Sequence, residues 1–139
     1  MSTYHNRISF QTQGDCDIID ITQNIDAIVK SSKLETGICT VFCSGSTGAL
    51  TTIEYESGLL KDFPDAMERM APKNIEYAHN ERWGDGNGHS HIRASIVGPS
   101  LTIPFVNRKL TLGTWQQIVF VDYDNRPRSR NLEIVIIGE

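Results

Sequence analysis

The sequence predicts a strand-rich α+β domain with about two helices, and two observations support this prediction. Apolar segments of strand length occupy most of the second half of the chain, whereas apolar residues at helical spacing occur in the first half. The regular alternation of strands and helices that a doubly wound parallel sheet requires is absent. We therefore expect one domain over residues 1–139, with antiparallel or mixed sheets arranged as a sandwich or a barrel.

The first half of the chain predicts three strands and two helices. Residues 21–29 place isoleucine and valine at helical spacing, with Thr22 as the expected N-cap. A second helix is expected to begin at Ser57 and to bend or restart at Pro64. The predicted strands of this half are residues 7–13, 37–43 and 49–55.

The second half predicts one long loop and then strands almost throughout. Residues 73–88 are rich in glycine, asparagine and aspartate, which is typical of a loop. A turn at residues 124–127 is expected to precede the last strand. The predicted strands are His89–Val97, Leu101–Val106, Leu110–Leu112, Gln116–Asp122 and Asn131–Ile137.

Composition and charge narrow the class of protein. The chain has 139 residues, 39% of them hydrophobic, which is enough to bury a core. Its net charge of −4 argues against general nucleic-acid binding, which depends on cations that neutralise phosphates. The three cysteines are odd in number and lack a Cys-x-x-Cys spacing, which indicates a reducing compartment. With no apolar signal segment and no apolar run of bilayer length, we expect a cytoplasmic protein without membrane association.

Three of the four histidines are close together in sequence and form the strongest candidate for chemistry. His89 and His91 are two residues apart, so on the predicted strand both imidazoles face the same side. His79 could return across the glycine-rich loop as a third ligand, and Asp85 could add or orient a ligand. The pattern predicts a metal or catalytic site, with zinc, nickel, iron and copper all compatible. The alternative is a set of polar side chains on a solvent-exposed face.

Two further segments could bind an anion. In Ser44–Gly48, glycines and hydroxyl groups allow backbone N–H groups to converge, although an ordinary strand connection has the same composition. Arg126, Arg128 and Arg130 alternate, so in an extended chain their guanidinium groups could line a phosphate site, or they could form a solvated turn. Arg93 would continue the His89–His91 face of the predicted strand.

Taken together, several motifs resemble the YjbQ family, which is also labelled secondary thiamine-phosphate synthase. The resemblance extends from the first predicted strand to the last residues of the chain. It implies a strand-rich α+β fold that assembles as a homotrimer, with a histidine-rich cleft near the subunit interface. The motifs are Asp85-x-Asn87-x-His89-x-His91, Gly98-Pro99-Ser100, Leu112-Gly-Thr-Trp-Gln116 and Pro127-Arg128-x-Arg130.

The residue patterns and the resemblance together give expected roles to individual residues. The resemblance implies a small phosphorylated ligand and a divalent metal, zinc or magnesium, as the cofactor. The expected catalytic residues are His79, Asp85, His89 and His91, of which the three histidines are also the expected metal ligands. The expected phosphate-binding residues are Ser46, Thr47, Gly48, Asn87, Arg93, Arg128 and Arg130.

The chain departs from the family pattern at three positions. Ser46 stands where many members have a histidine, which removes one potential ligand or base. Arg108 and Arg126 stand where turn glycines are usual, and both add positive charge to a connection.

Three functions remain open from the sequence. The first is a transferase resembling a thiamine-phosphate synthase, which joins a pyrimidine-methyl pyrophosphate to a thiazole phosphate and releases pyrophosphate. The second is a metal-assisted phosphoester hydrolase, which fits the same residues. The third is a non-catalytic trimeric protein that binds a metal or an anionic metabolite at a closed site.

Overall fold

The structure, a computed structural model, describes residues 1–139 as eight strands and four helices. Every strand pair is antiparallel; one sheet has the order β1-β8-β3-β5-β6 and the other β2-β7-β4. In chain order the elements are β1 (Ser2–Thr12), β2 (Asp17–Asp20), α1 (Thr22–Ser32), β3 (Thr36–Cys43), β4 (Gly48–Ile53), α2 (Ser57–Met70), α3 (Ala78–Trp83), α4 (Gly88–Val97), β5 (Ser100–Val106), β6 (Lys109–Leu110), β7 (Gln117–Asp122) and β8 (Arg128–Gly138).

The larger sheet buries one face, because successive side chains of each strand point alternately into the core and away from it. Along β8 the residues Leu132, Ile134 and Ile136 point inward and are fully buried, whereas Val135 and Ile137 point outward. β8 pairs with β1 along its whole length and with β3 on its other side. It is therefore an interior strand of this sheet, and its first residues are positioned by pairing with β1.

The smaller sheet is buried on both faces. Ile118 and Phe120 of β7 point into the core shared with the larger sheet and α1, whereas Val119 and Val121 point to the opposite side. Met67 of α2 and the helix α4 cover that opposite side. Burial on both faces explains why β7 is a continuous apolar run instead of an alternating one.

The two predicted helices are confirmed, although their local details differ from the prediction. Thr22 is the first residue of α1 and not its N-cap; its hydroxyl donates to Asp20 at 2.7 Å and accepts from the Ile118 N–H. α2 begins at Ser57 and continues through Pro64, and the Glu56 carboxylate caps its N-terminus. The predicted loop over residues 73–88 contains a further short helix, α3.

The predicted strand His89–Val97 is wrong, because this segment forms the helix α4. Asn87 precedes the helix, and the Gly88 N–H donates to the Asn80 side chain at 2.8 Å. Successive residues of a helix are rotated by about 100°, so side chains two positions apart point in nearly opposite directions. His89 and His91 therefore do not share a face.

The other predicted strands are confirmed within a few residues, and β2 is an addition. The fold class is therefore the predicted strand-rich α+β, with two more helices than expected. No helix has both the length and the apolar character that a membrane crossing would require.

Candidate functional site

A polar cleft of about 400 Å³ lies between α3, α4, the β3–β4 loop and the start of β8. We call it the histidine cleft. Its walls contain a single hydrophobic residue, Trp83, which is 64% exposed at the end of α3. The lining residues are Ser46, Thr47, His79, Trp83, Asp85, Asn87, His91, Asp124, Arg128 and Arg130.

Two imidazole rings are in contact in the cleft. The ring centroids of His79 and His91 are 4.2 Å apart, with 47° between the ring planes. Burial, and then the neighbouring His79, lower the pKa of His91 below its usual value. At neutral pH His91 is therefore predominantly uncharged and able to accept a proton.

His79 is oriented by the loop between α3 and α4. Its Nε2 lies 3.0 Å from the side-chain oxygen of Asn87 and 3.5 Å from Asp85 Oδ1. In one orientation of the Asn87 side-chain amide, its nitrogen donates to Asp85 Oδ1 at 2.9 Å and to His79 Nε2 at 3.0 Å. In the other orientation the nitrogen donates to Asp124 Oδ1 at 3.4 Å. Asn87 thus lies between two carboxylates and can bridge either one to the cleft.

The floor of the cleft is a buried ion pair. Asp122 is fully buried and accepts two hydrogen bonds from Arg130, from Nε at 2.7 Å and from Nη2 at 2.8 Å. The same Nη2 donates to Thr47 Oγ1 at 2.7 Å. Burial opposes the charge of Arg130, but Asp122 outweighs it and raises the pKa of the guanidinium. This pair is structural in character, and it holds the Thr47 loop against β8.

A second buried carboxylate, Asp124, positions Arg128. Its Oδ2 accepts from Arg128 Nε at 2.7 Å and from Thr47 Oγ1 at 3.1 Å, and its Oδ1 accepts from the Asn125 N–H at 2.8 Å. Burial alone would raise the pKa of Asp124, but these bonds and that from Asn87 together lower it. Arg128 uses only its Nε within the chain, so its terminal nitrogens remain available to a ligand.

The structure does not bring His89 and Arg93 to this cleft, contrary to the sequence-based expectation. Both lie on the buried side of α4, 3% exposed each. Arg93 donates to the Ala71 carbonyl at 3.0 Å and to Glu68 at 2.6 Å. His89 lies beside Tyr77, and burial, followed by Arg93, lowers its pKa. These side chains belong to the packing beneath α4.

The remaining predicted site residues lie in the histidine cleft or next to it. Gly48 is adjacent, where a side chain would collide with the Phe120 ring, 2.5 Å from the position of its Cβ. Sequence reasoning missed Trp83 and Asp124 as cleft residues. Trp83 follows His79 by one helical turn, which could have signalled it, but no local pattern marks Asp124 because long-range pairing positions it.

The cleft provides an incomplete donor set for a metal ion. No group of three or more His, Cys, Asp or Glu side chains is arranged to hold one. The rings of His79 and His91 contact each other at a tilt of 47°, and His89, the third expected ligand, is on the buried side of α4. Metal binding therefore stays a prediction, and the mechanism proposed below uses only side chains.

Comparison with known proteins shows which family the chain is related to. The family model described as UPF0047 protein YjbQ-like matches residues 6–139. A UPF0047 protein of Methanothermobacter thermautotrophicus is 36% identical over 139 residues, covering 100% of this chain and 95% of that protein. The chain belongs to the YjbQ-like family. A second YjbQ-like relative, a UPF0047 protein of Archaeoglobus fulgidus, is 35% identical over 125 residues, covering 90% of this chain and 94% of that protein.

Solved structures of YjbQ-like proteins share the fold. A YbjQ-like protein of unknown function from Sulfolobus solfataricus has a TM-score of 0.94 and 31% identity, covering 99% of both chains. An uncharacterized YjbQ/UPF0047 protein from Clostridium acetobutylicum has a TM-score of 0.87 and 35% identity, covering 95% of this chain and 99% of that one. Family membership thus establishes the fold, and the function has to be argued from the site.

Proposed function

We propose that the histidine cleft binds a small phosphorylated heterocycle, to which His79 donates a proton and from which His91 accepts a hydrogen bond. The observation that supports this most directly is the contact between the two imidazoles in a cleft that also exposes the terminal nitrogens of Arg128. A guanidinium group matches the geometry of phosphate oxygens. Trp83, exposed at the rim, offers a flat surface for a heterocyclic ring.

The specific reaction that we propose resembles that of thiamine-phosphate synthase. The thiazole nitrogen forms a bond to the methylene carbon of the pyrimidine as the bond from that carbon to the pyrophosphate oxygen breaks. The electron pair leaves with pyrophosphate, so negative charge develops on its oxygens. Arg128 stabilises this charge, and His79, oriented by Asp85 and Asn87, donates a proton to the leaving oxygen.

His91 has the complementary role in this proposal. Because its lowered pKa keeps it neutral, His91 accepts a hydrogen bond from the ligand, and no proton has to leave the ligand in this step. Ser46 and Thr47 would contribute hydroxyl groups on the opposite wall, although Thr47 Oγ1 is already bonded to Arg130 and Asp124.

The test is the formation of thiamine phosphate from the two substrates by purified protein. His79→Ala should lower the rate by about 100-fold, the usual scale of a general acid, and His91→Ala should lower it by about tenfold, the scale of one lost hydrogen bond. Lys61→Ala is the control, because Lys61 is exposed on α2, pairs with Asp65 and is not a lining residue of the cleft. Absence of product with the wild type, or full activity of both cleft variants, would contradict the proposal.

We also propose that the protein is a homotrimer with the cleft near the subunit interface. The outward face of the larger sheet supports this, since it exposes large apolar side chains that a monomer would leave in water. Phe42, which is 45% exposed, lies near the end of β3, close to the loop that contributes Ser46 to the cleft. The other apolar residues of this face are Ile38, Val106, Val135 and Ile137. Light scattering should give the mass of three chains, and Phe42→Ser should lower it.

The cytoplasm is the proposed location of the protein. Its three cysteines are all free, which is compatible with a reducing compartment.

A further inference from the structure

We propose that Arg126 and Arg128 form a second anion subsite beside the histidine cleft, so that this chain binds a ligand with two adjacent phosphate groups. The inference rests on the proposed function, because the first phosphate lies in the histidine cleft. It makes Arg126 a residue that determines specificity.

A second cleft of about 390 Å³ adjoins the first. We call it the turn cleft; no hydrophobic side chain lines it. It shares Asp85, Asn87 and Arg128 with the histidine cleft, and Asn125 and Arg126 complete its wall. A ligand that extends from one cleft into the other must therefore pass the Arg128 guanidinium.

The charges of the turn cleft favour an anion. Arg126 is exposed, and in contrast to Arg128 and Arg130, which pair with Asp124 and Asp122, it has no ion-pair partner in the chain. Arg128 adds the terminal nitrogens that its bond to Asp124 leaves free. The one carboxylate on the wall is Asp85, whose Oδ1 lies 3.5 Å from His79 Nε2. Two guanidinium groups thus face a single carboxylate that has a histidine beside it.

The backbone that carries Arg126 is held in place. The Asp15 N–H donates to the Asp124 carbonyl at 2.6 Å, and the side-chain amide of Asn125 donates to the Asp85 carbonyl at 2.8 Å. Gly14, with φ of +77°, approaches the turn so closely that a Cβ would lie 2.5 Å from the Arg126 carbonyl oxygen. The residue that follows Arg126 is a proline, whose ring fixes φ. The turn cleft is therefore preorganised, which lowers the cost of binding.

Adjacent phosphates are the ligand chemistry that fits two subsites joined by one arginine. The Arg128 guanidinium can donate to oxygens of both groups, and each cleft then adds its own donors. A monophosphate occupies only one subsite, so it makes fewer of these contacts than two adjacent phosphates do. We therefore expect discrimination between inorganic pyrophosphate and inorganic phosphate.

Titration calorimetry of the full chain, in buffer with EDTA, tests this with inorganic phosphate and pyrophosphate as the probes. The wild type should bind pyrophosphate at least about tenfold more tightly than phosphate, as one added charge-assisted contact provides. Arg126→Gln should reduce that ratio to less than about threefold. Arg108→Gln is the matched control, since Arg108 is an exposed turn arginine that pairs with Glu35.

The outcomes separate the two proposals. A wild type that binds phosphate but shows no preference for pyrophosphate overturns the second subsite alone. A preference that survives in Arg126→Gln, or that falls equally in Arg108→Gln, overturns it as well. A wild type that binds neither anion overturns the proposed function together with this inference.

Discussion

Replacing Asp122 with asparagine should be strongly destabilising. The carboxylate is fully buried and accepts four hydrogen bonds, two of them from Arg130. The other two come from Thr12 Oγ1 at 2.6 Å and from the Asp124 N–H at 3.0 Å. Asparagine has the same shape, but it replaces one accepting oxygen with a donating NH₂ and removes the negative charge. Arg130, only 8% exposed, would then be buried without a counter-charge.

Two estimates of the cost agree. Removing one partner of a buried ion pair costs about 3–5 kcal/mol. Counting bonds, the NH₂ group loses one charge-assisted hydrogen bond from Arg130, about 1.5–3 kcal/mol, and one bond from Thr12 or the Asp124 N–H, about 0.5–1.5 kcal/mol. With a urea m-value of about 2 kcal/mol/M, a loss of about 4 kcal/mol lowers the unfolding midpoint by about 2 M.

Urea unfolding followed by circular dichroism measures this effect. The control is Asp26→Asn, which breaks the exposed pair with Lys30 and should cost at most about 0.5 kcal/mol. The double variant Asp122→Asn/Arg130→Gln should be more stable than the sum of the single changes by at least about 2 kcal/mol, because the stranded charge is gone. A single-variant loss below about 1 kcal/mol, or simple additivity, would refute the reasoning.

Three further predictions concern pH, metal and backbone. Because the pKa of His89 is lowered in the folded chain, the unfolded chain binds the extra proton below about pH 6.5, so stability should fall from pH 7 to pH 5. His89→Phe should reduce the fall of the urea unfolding midpoint between pH 7 and pH 5, and an unchanged fall would count against this prediction. Metal content by elemental analysis should depend on His79 and His91 and not on His89; equal loss in all three alanine variants would contradict this. Gly14→Ala should cost about 1–3 kcal/mol more than Gly84→Ala by thermal unfolding, since both have positive φ but only Gly14 lacks space for a Cβ; equal costs would contradict this.

The strands were predictable because the number of buried faces of a strand determines the pattern of apolar residues in its sequence. β1 alternates apolar and polar residues around Ile8 and Phe10, and β7 is a continuous apolar run because both its faces are covered. Both patterns follow from the number of buried faces, so the sequence alone was sufficient. β2 escaped prediction because it has four residues, two of them aspartates, and is stabilised by pairing with β7.

The helix α4 could not be predicted from its pattern of apolar residues, because polar side chains are on its buried face and isoleucines are on its exposed face. His89, Ser90 and Arg93 face the interior, whereas Ile92 and Ile96 are 45% and 55% exposed. Pattern analysis assumes that apolar residues mark the buried face, so it could not find this helix. The sequence indicates the residue types of the site. It does not indicate that His91 faces the cleft while His89 and Arg93 face the interior, because that separation follows from the helical conformation.

The pair between Asp122 and Arg130 also restricts how the molecule can move. Asp122 ends β7 of the smaller sheet and Arg130 lies in β8 of the larger one, so their two hydrogen bonds fasten the sheets together beneath the cleft. Any breathing motion that separates the sheets at this end must first break both bonds, which makes it rare. The segment between α3 and α4 is packed less tightly, since a Cβ at Gly84 would meet no atom within 4 Å, so opening for ligand exchange is expected there. The cleft has a fixed floor and a rim that can adjust.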